Sequence, residues 1–324
     1  YRLLTSRYDA TNLALYGEVD WRASARTRLS VGARAERRSA DYDDRDALDG
    51  QTSAFSPTDT MWGGHASLAF DATDRHRWYL TLSRGYKAGG FNIGAAVPAD
   101  RREYDPESLW NLEAGLAWRA PDGRWSSRGS FFYMRRGSQQ VATSRQLVPG
   151  DPLSYVFYTD NAARGENYGF EGSLDWAVTS RFGVAATLGL LETAYIGYRT
   201  GDPLRDAALE GREQAHAPQY QYSLSLRYQD PKGWFARADL QGVDDFYFDT
   251  SHEQRAPAHA VVNLRVGYAG ARWSASLFAR NLFDESYAMR GFFFENEPPD
   301  FPTKRYVQPA DGRLVGATLA YVFQ

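Results

Sequence analysis

Histidines, carboxylates, arginines and aromatic rings are the candidate chemical groups in this chain of 324 residues, and cysteine is absent. That absence excludes disulfides and thiolate metal sites, though not any redox compartment. The five histidines, His65, His76, His216, His252 and His259, show no HExxH spacing, and no GxSxG nucleophile elbow occurs. An enzyme is therefore not expected, and no resident metal or cofactor is indicated. Asp41, Asp43, Asp44, Asp46 and Asp49 crowd the segment DYDDRDALDG. Crowded oxygens could hold calcium, but the EF-hand spacing fails and Arg45 supplies a countercharge, which favours a solvated loop. Arg135, Arg136 and Arg145 could attract an anionic ligand, or pair with nearby carboxylates. The strongest ligand candidates are rings and polar groups near strand exits: Tyr86, Phe91, Asn92, Tyr155, Phe157, Tyr158, Tyr247, Phe248, Phe292 and Phe293, with Arg136 and Arg145. Rings on rigid exits offer contact area at small entropic cost and suit an aromatic chelate, a sugar or a porphyrin. The same rings would also serve as an interfacial girdle or as packing between loops.

The elements that must carry these residues are strands. The chain holds 21 Tyr, 18 Phe, 9 Trp and 29 Gly at a mean hydropathy of −0.55. Many rings at low average hydropathy suit a barrel with one face to lipid and one to a wet or plugged lumen. No run of about 18 apolar residues exists, so no transmembrane helix is expected. The opening YRLLTSRYDATN has no signal-peptide core, so an export address would lie upstream or have been removed. A net charge of −3 with scattered Lys and Arg leaves no basic footprint for nucleic acid.

Period-2 alternation is pervasive. Leu13, Leu15, Gly17, Val19 and Trp21 oppose Asn12, Tyr16, Glu18, Asp20 and Arg22. Tyr220, Tyr222, Leu224, Leu226 and Tyr228 oppose Gln221, Ser223, Ser225, Arg227 and Gln229. Polar residues cannot face lipid cheaply, so their face is read as a hydrated interior in which Glu18, Arg34, Glu36, Glu171 and Arg227 form a charge network. A soluble sandwich shares the alternation. Strand lengths of about 10 to 14 residues and rings near the ends of the apolar face favour a tilted membrane span.

Thirteen strands are expected, at 12–22, 27–38, 61–71, 77–86, 107–119, 124–136, 162–176, 181–195, 217–229, 233–246, 258–268, 271–283 and 307–323. Short connections alternate strictly with long segments at 39–60, 87–106, 137–161, 196–216, 247–257 and 284–306. Such alternation is expected when tight turns face the periplasm and elaborated loops face outside. Pro121-Asp122-Gly123 and Asp230-Pro231-Lys232-Gly233 carry turn chemistry. An odd count makes the first and last strands run the same way, so closure on each other would need a parallel seam. An odd number of preceding strands is therefore expected, with Tyr1–Thr11 the tail of an external loop. The segment 137–161 is the place most suited to hide strand extensions.

From Tyr79–Asn92, YLTLSRGYKAGGFN, the chain resembles the TonB-dependent outer-membrane receptor family. The resemblance continues through Gln139 and Gln140, Thr159–Ala162 and Gly169-Phe170-Glu171-Gly172. It is strongest at Arg280–Tyr287, RNLFDESY, and at the closing strand from Leu314 to Phe323. In the family the closing aromatic is terminal, whereas here Gln324 follows Phe323. The resemblance implies an all-β transmembrane antiparallel barrel of about 22 strands around a plug. The chain would be its C-terminal portion, with the plug and about nine strands absent. It further implies a bacterial outer-membrane location with a periplasmic C-terminus, contact with outer-membrane lipid and lipopolysaccharide, and coupling to the TonB complex through a TonB box ahead of the plug. The implied function is uptake of a scarce, bulky small molecule, foremost a ferric siderophore. Cobalamin, haem or saccharide uptake and a passive porin are the alternatives.

Overall fold

The computed structural model describes residues 3–47, 50–94, 96–148, 151, 154–199, 203–250, 253–295, 297, 299–300 and 302–323; the side chains of residues 145, 146, 155, 292–295 and 303 are outside that description. Thirteen strands form one antiparallel meander: β1 (Leu4–Arg22), β2 (Thr27–Asp46), β3 (Thr58–Thr73), β4 (His76–Lys87), β5 (Glu107–Arg119), β6 (Trp125–Gln146) and β7 (Tyr155–Ala177). It continues through β8 (Phe182–Ile196), β9 (Tyr220–Gln229), β10 (Trp234–Val243), β11 (His259–Ala269), β12 (Trp273–Arg280) and β13 (Leu314–Tyr321). Each strand pairs with the next, and Thr52–Phe55 adds a short extra rung to β2.

The ladders keep two faces through the middle of the sheet, since opposed residues share a face and side chains alternate along each strand. On the polar face one row runs Asp20–Ser30–Ser67–Thr81–Glu113 before it passes to Phe132, Gly169 and Leu191. Local bonds tie this face together, including Ser67 to Thr81 at 2.9 Å, Arg34 to Glu36 at 2.7 Å and Arg227 to Asp175 at 3.5 Å. The opposite face is apolar and exposed, and its rings gather beside the short turns. Trp21, Trp78, Trp176, Trp234, Trp273 and Tyr321 stand there, while Trp118 packs on Trp125. This is the girdle expected of a lipid-facing belt. The turns are built as their sequences imply: Gly233, at φ 101°, donates its N–H to the Asp230 carbonyl at 2.9 Å.

Several boundaries differ from the sequence reading. β1 begins at Leu4 rather than Asn12, and β2 runs to Asp46. The segment 137–161 holds the strand extensions that the sequence reading placed there, because β6 and β7 pair on to Gln146 and Tyr155. Polar residues there obscure the alternation, although the backbone ladder needs no apolar face once it stands clear of lipid. In the segment 196–216 a short helix spans Pro203–Leu209. The expected last strand divides: Thr303–Pro309 pairs with Ala288–Glu295, and β13 starts only at Leu314.

The acidic segment sits largely on β2. Asp44 and Asp46 are buried, and Asp44 accepts the Ser53 N–H at 3.0 Å and the Tyr42 hydroxyl at 2.9 Å. Asp41 and Asp43 alternate onto the other face, which splits the carboxylates. Asp49 lies outside the described residues.

The RNLFDESY segment closes the sheet near its end. Asn281, at φ 47° and buried, accepts the Glu285 N–H at 2.8 Å, donates to the Glu285 carbonyl at 2.8 Å, and donates its own N–H to Asn263 at 3.0 Å. Its amide also reaches the Asp311 carbonyl at 3.3 Å, joining the chain leaving β12 to the chain entering β13. Asn281→Ala should therefore lower the stability of the full-length protein by about 2–4 kcal/mol, from lost buried hydrogen bonds and a left-handed backbone without its local support. A denaturant midpoint equal to that of the parent protein would contradict this assignment.

Candidate functional site

The long connections converge on the side of the sheet opposite the short turns. Gly90–Phe91 pairs with Glu103–Tyr104 to make a small hairpin after β4. The glycines of KAGGFN suit this fold: a side chain at Gly90 would meet the Tyr104 hydroxyl at 2.6 Å, and one at Gly89 would meet the Tyr104 carbonyl at 2.4 Å. Phe91 then stacks on Phe55 at 4.9 Å and against Tyr42 at 4.7 Å.

Asn92 is a clasp. Its amide oxygen accepts the Thr159 N–H at 2.8 Å, and its amide nitrogen donates to the Thr159 carbonyl at 2.8 Å and the Arg101 carbonyl at 2.7 Å. Arg101 adds an ion pair to Asp160 at 2.6 Å, and Asn161 exchanges hydrogen bonds with the Asp105 backbone. These bonds hold the segment after β4 to the upper part of β7, where the ladder has a bulge around Ala163.

A concavity of about 580 Å³ opens between these pieces. Its lining includes Phe91, Asn92, Thr143, Phe157, Tyr158 and Thr159 together with Arg205, Asp249, Thr250 and Arg290. Tyr158 is buried with Val97 and Val156, whereas Phe157 is 65% exposed and offers a free ring. Arg205 comes from the short helix and donates to the Ser144 carbonyl at 2.7 Å, while Arg290 is exposed. Rings, hydroxyls and two guanidiniums together can bind a planar or aromatic ligand that carries negative charge.

The structure thus brings together four of the residues expected from sequence: Phe91, Asn92, Phe157 and Tyr158. Others lie elsewhere. Tyr86 turns to the polar face, donating to Glu36 at 2.8 Å and accepting from Arg34 at 2.9 Å. Arg136 is ion-paired with buried Glu107. The Tyr247 ring lies between Arg212 at 4.3 Å and Arg255 at 3.9 Å. Burial holds the Arg212 guanidinium below its ordinary value. Burial opposes the charge of Arg255 as well, but Asp245, Tyr247 and Glu213 outweigh it and raise the value. Phe248 is buried in a small core with Phe246 and Ala256. The side chains of Arg145, Tyr155, Phe292 and Phe293 lie outside the described residues. Sequence reasoning missed Arg205, Arg290 and the hydroxyls of Thr143 and Thr250. Arg290 alone left a signal, standing two residues before the Phe292–Phe294 run.

A second concavity, about 790 Å³, lies along the polar face of β4–β10 and is lined by Tyr79, Glu113, Arg128, Phe132 and Glu171 among others. Tyr79 donates to Glu113 there.

Residues 2–282 match the family described as TonB dependent receptor-like, beta-barrel. Among solved structures, the ferric yersiniabactin uptake receptor FyuA from Yersinia pestis is similar over 100% of this chain and 47% of its own, at 21% identity and a TM-score of 0.79. The siderophore receptor PiuA from Acinetobacter baumannii matches over 97% and 44%, at 18% identity and a TM-score of 0.74. The copper transporter OprC matches over 97% and 50%, at 16% identity and a TM-score of 0.72. The chain spans about half the length of these structures. At such identities the likeness concerns the fold.

Proposed function

From a chain that belongs to the TonB-dependent receptor-like β-barrel family, we propose energised uptake of a scarce, bulky ligand across the bacterial outer membrane, with a ferric siderophore as the ligand class. The observation that carries this reading is the 580 Å³ concavity among the long connections, whose lining includes Phe91, Phe157 and Tyr158 together with Arg205 and Arg290. An iron chelate with aromatic or carboxylate arms presents π faces and negative charge, the two features that these groups complement. FyuA and PiuA, both siderophore receptors, share the fold, which is consistent with the reading at the level of the family.

In this reading the thirteen strands are the C-terminal part of a barrel of about 22 strands. The remaining strands, the plug and the TonB box belong to the same longer polypeptide. The short turns and the C-terminus face the periplasm, and the concavity opens outside. Capture occurs at the concavity, and the polar face of β4–β10 forms part of the wall along which the ligand moves once TonB-driven force rearranges the plug.

The test is binding and uptake by the full-length receptor across a panel of ferric chelates, cobalamin, haem and oligosaccharides, in cells with and without TonB. One ferric chelate should enter only when TonB is present. Arg290→Gln should weaken its binding about tenfold, the value of one charge-assisted contact. Equal solute entry with and without TonB would instead mark a passive porin, and TonB-dependent entry of cobalamin or haem alone would reassign the ligand.

A further inference from the structure

The polar face ends, beside the short turns, in a group of arginines far from the concavity. Ladder pairing sets Arg77, Ala117 and Arg128 in one row across β4–β6, and Arg119 lies further along β5, opposite Ser126. At period 2 this row continues the face of Thr81 and Glu113. Arg77 and Arg128 therefore stand about 10 Å apart with a methyl group between them, and Arg119 lies about 7 Å from that methyl. A hollow of about 240 Å³ opens there, where Arg75, Arg77, Arg119 and Arg128 share the lining with Asp71 and Asp74. Along β6 about 50 Å of strand separates Arg128 from Thr143 of the concavity, so the two places are distinct.

The positive charge is not balanced locally. Asp71 accepts from Arg77 at 2.6 and 3.0 Å, and Asp175, on the strand beyond, is bound by Arg227 at 3.5 Å. Glu171 lies one row inward, opposite Ser130. Among the described residues Arg119 and Arg128 form no ion pair, and both are exposed. Like charges on adjoining strands weaken a sheet unless an anion joins them. Guanidiniums at three corners around a small side chain, with the Ser126 hydroxyl beside them, offer N–H and O–H donors to a ligand with more than one anionic group.

We propose that Arg77, Arg119, Arg128 and Ser126 form a second anion station, for a small ligand carrying several carboxylates, at the short-turn end of the polar face. Its role in transit rests on the uptake reading, in which this end opens to the periplasm and the polar face is the wall of the path. An anion released from the concavity must pass Glu113 and Glu171, which repel it, and the arginines beyond them draw it onward. A station for a moving ligand has to hold it weakly, as exposed guanidiniums in water do. Charge complementarity selects the occupant, since a neutral ligand would leave Arg119 and Arg128 without an anion.

The test is calorimetric titration of the full-length receptor, in detergent at low ionic strength, with citrate and with triethyl citrate, its uncharged ester. The parent protein should bind citrate and not the ester. Arg119→Gln with Arg128→Gln should weaken citrate binding about tenfold, the value of a charge-assisted contact. Arg290→Gln, at the concavity, should leave a citrate site of parental affinity. Ala117→Asp, which puts a carboxylate into the hollow, should weaken citrate as much as the double variant, and it serves if the double variant fails to fold. Absence of citrate binding by the parent protein would overturn the proposal, as when a carboxylate of the plug already fills the hollow. Parental affinity in a folded double variant or in Ala117→Asp would overturn it equally. Uptake of the ferric chelates separates the readings: citrate binding without TonB-dependent uptake leaves the station standing and removes the transport assignment, and TonB-dependent uptake without a citrate site does the reverse.

Discussion

Glu107→Ala is expected to release the upper β6–β7 hairpin from the segment that follows β4 and to abolish high-affinity ligand binding. Glu107 is buried at the top of β5, where one carboxylate oxygen accepts from Arg136 Nε at 2.7 Å and the other accepts the Gln140 N–H at 2.8 Å. Gln140 in turn donates to the carbonyls of Ala88 at 2.8 Å and Asp105 at 3.1 Å. Removing the carboxylate leaves a largely buried guanidinium without its anion and a backbone donor without an acceptor. Breaking one side of such a pair costs about 3–5 kcal/mol, more than the net worth of the pair, because the remaining charge stays desolvated. The loss falls on the clasp made by Asn92, Asn161 and Arg101, which shapes one side of the concavity. Limited proteolysis of intact cells should show new cuts in the segments 88–106 and 147–154. Glu107→Gln, which keeps an acceptor, should be milder. Unchanged protease resistance and affinity in Glu107→Ala would mean that the concavity does not depend on this tie.

Gly169→Val should prevent assembly of the barrel. A Cβ at Gly169 would lie 2.1 Å from the Leu190 carbonyl oxygen and 2.8 Å from the Phe132 ring. The ring could turn away, but the carbonyl belongs to the β7–β8 ladder and cannot. Overpacking costs about 1–3 kcal/mol where side chains can yield, so a clash with paired backbone should exceed about 3 kcal/mol. Heat-modifiable, folded receptor should nearly vanish from outer-membrane fractions. Gly85→Ala makes a suitable comparison, because nothing lies within 4 Å of its added carbon. Folded receptor at parental levels in Gly169→Val would show that the ladder can shift locally.

Gly169 and Asn281 illustrate how motif and structure relate. GFEG and RNLFDESY are legible as motifs, yet the reason for each residue is tertiary. The glycine is dictated by a carbonyl on the neighbouring strand, and the asparagine by backbone groups at Glu285 and Asp311. Asn92 makes the same point for the site. A sequence reading sees a polar side chain at a strand exit and assigns it to ligand; the structure spends every one of its amide bonds on Thr159 and Arg101.

The amino-acid sequence by itself determined the strands, their two faces, the alternation of short and long connections and the family. These follow from period-2 patterning, turn chemistry and girdle rings, all local along the chain. Tertiary structure alone decided which ring or cation meets which. Arg205 and Arg290 come from two different connections and Phe157 from the upper end of β7, and the three meet only in the folded sheet. Local pattern fixes how a residue faces its own strand. Its neighbours across the sheet depend on register and loop closure, which are properties of pairs of distant segments and leave no period in the sequence.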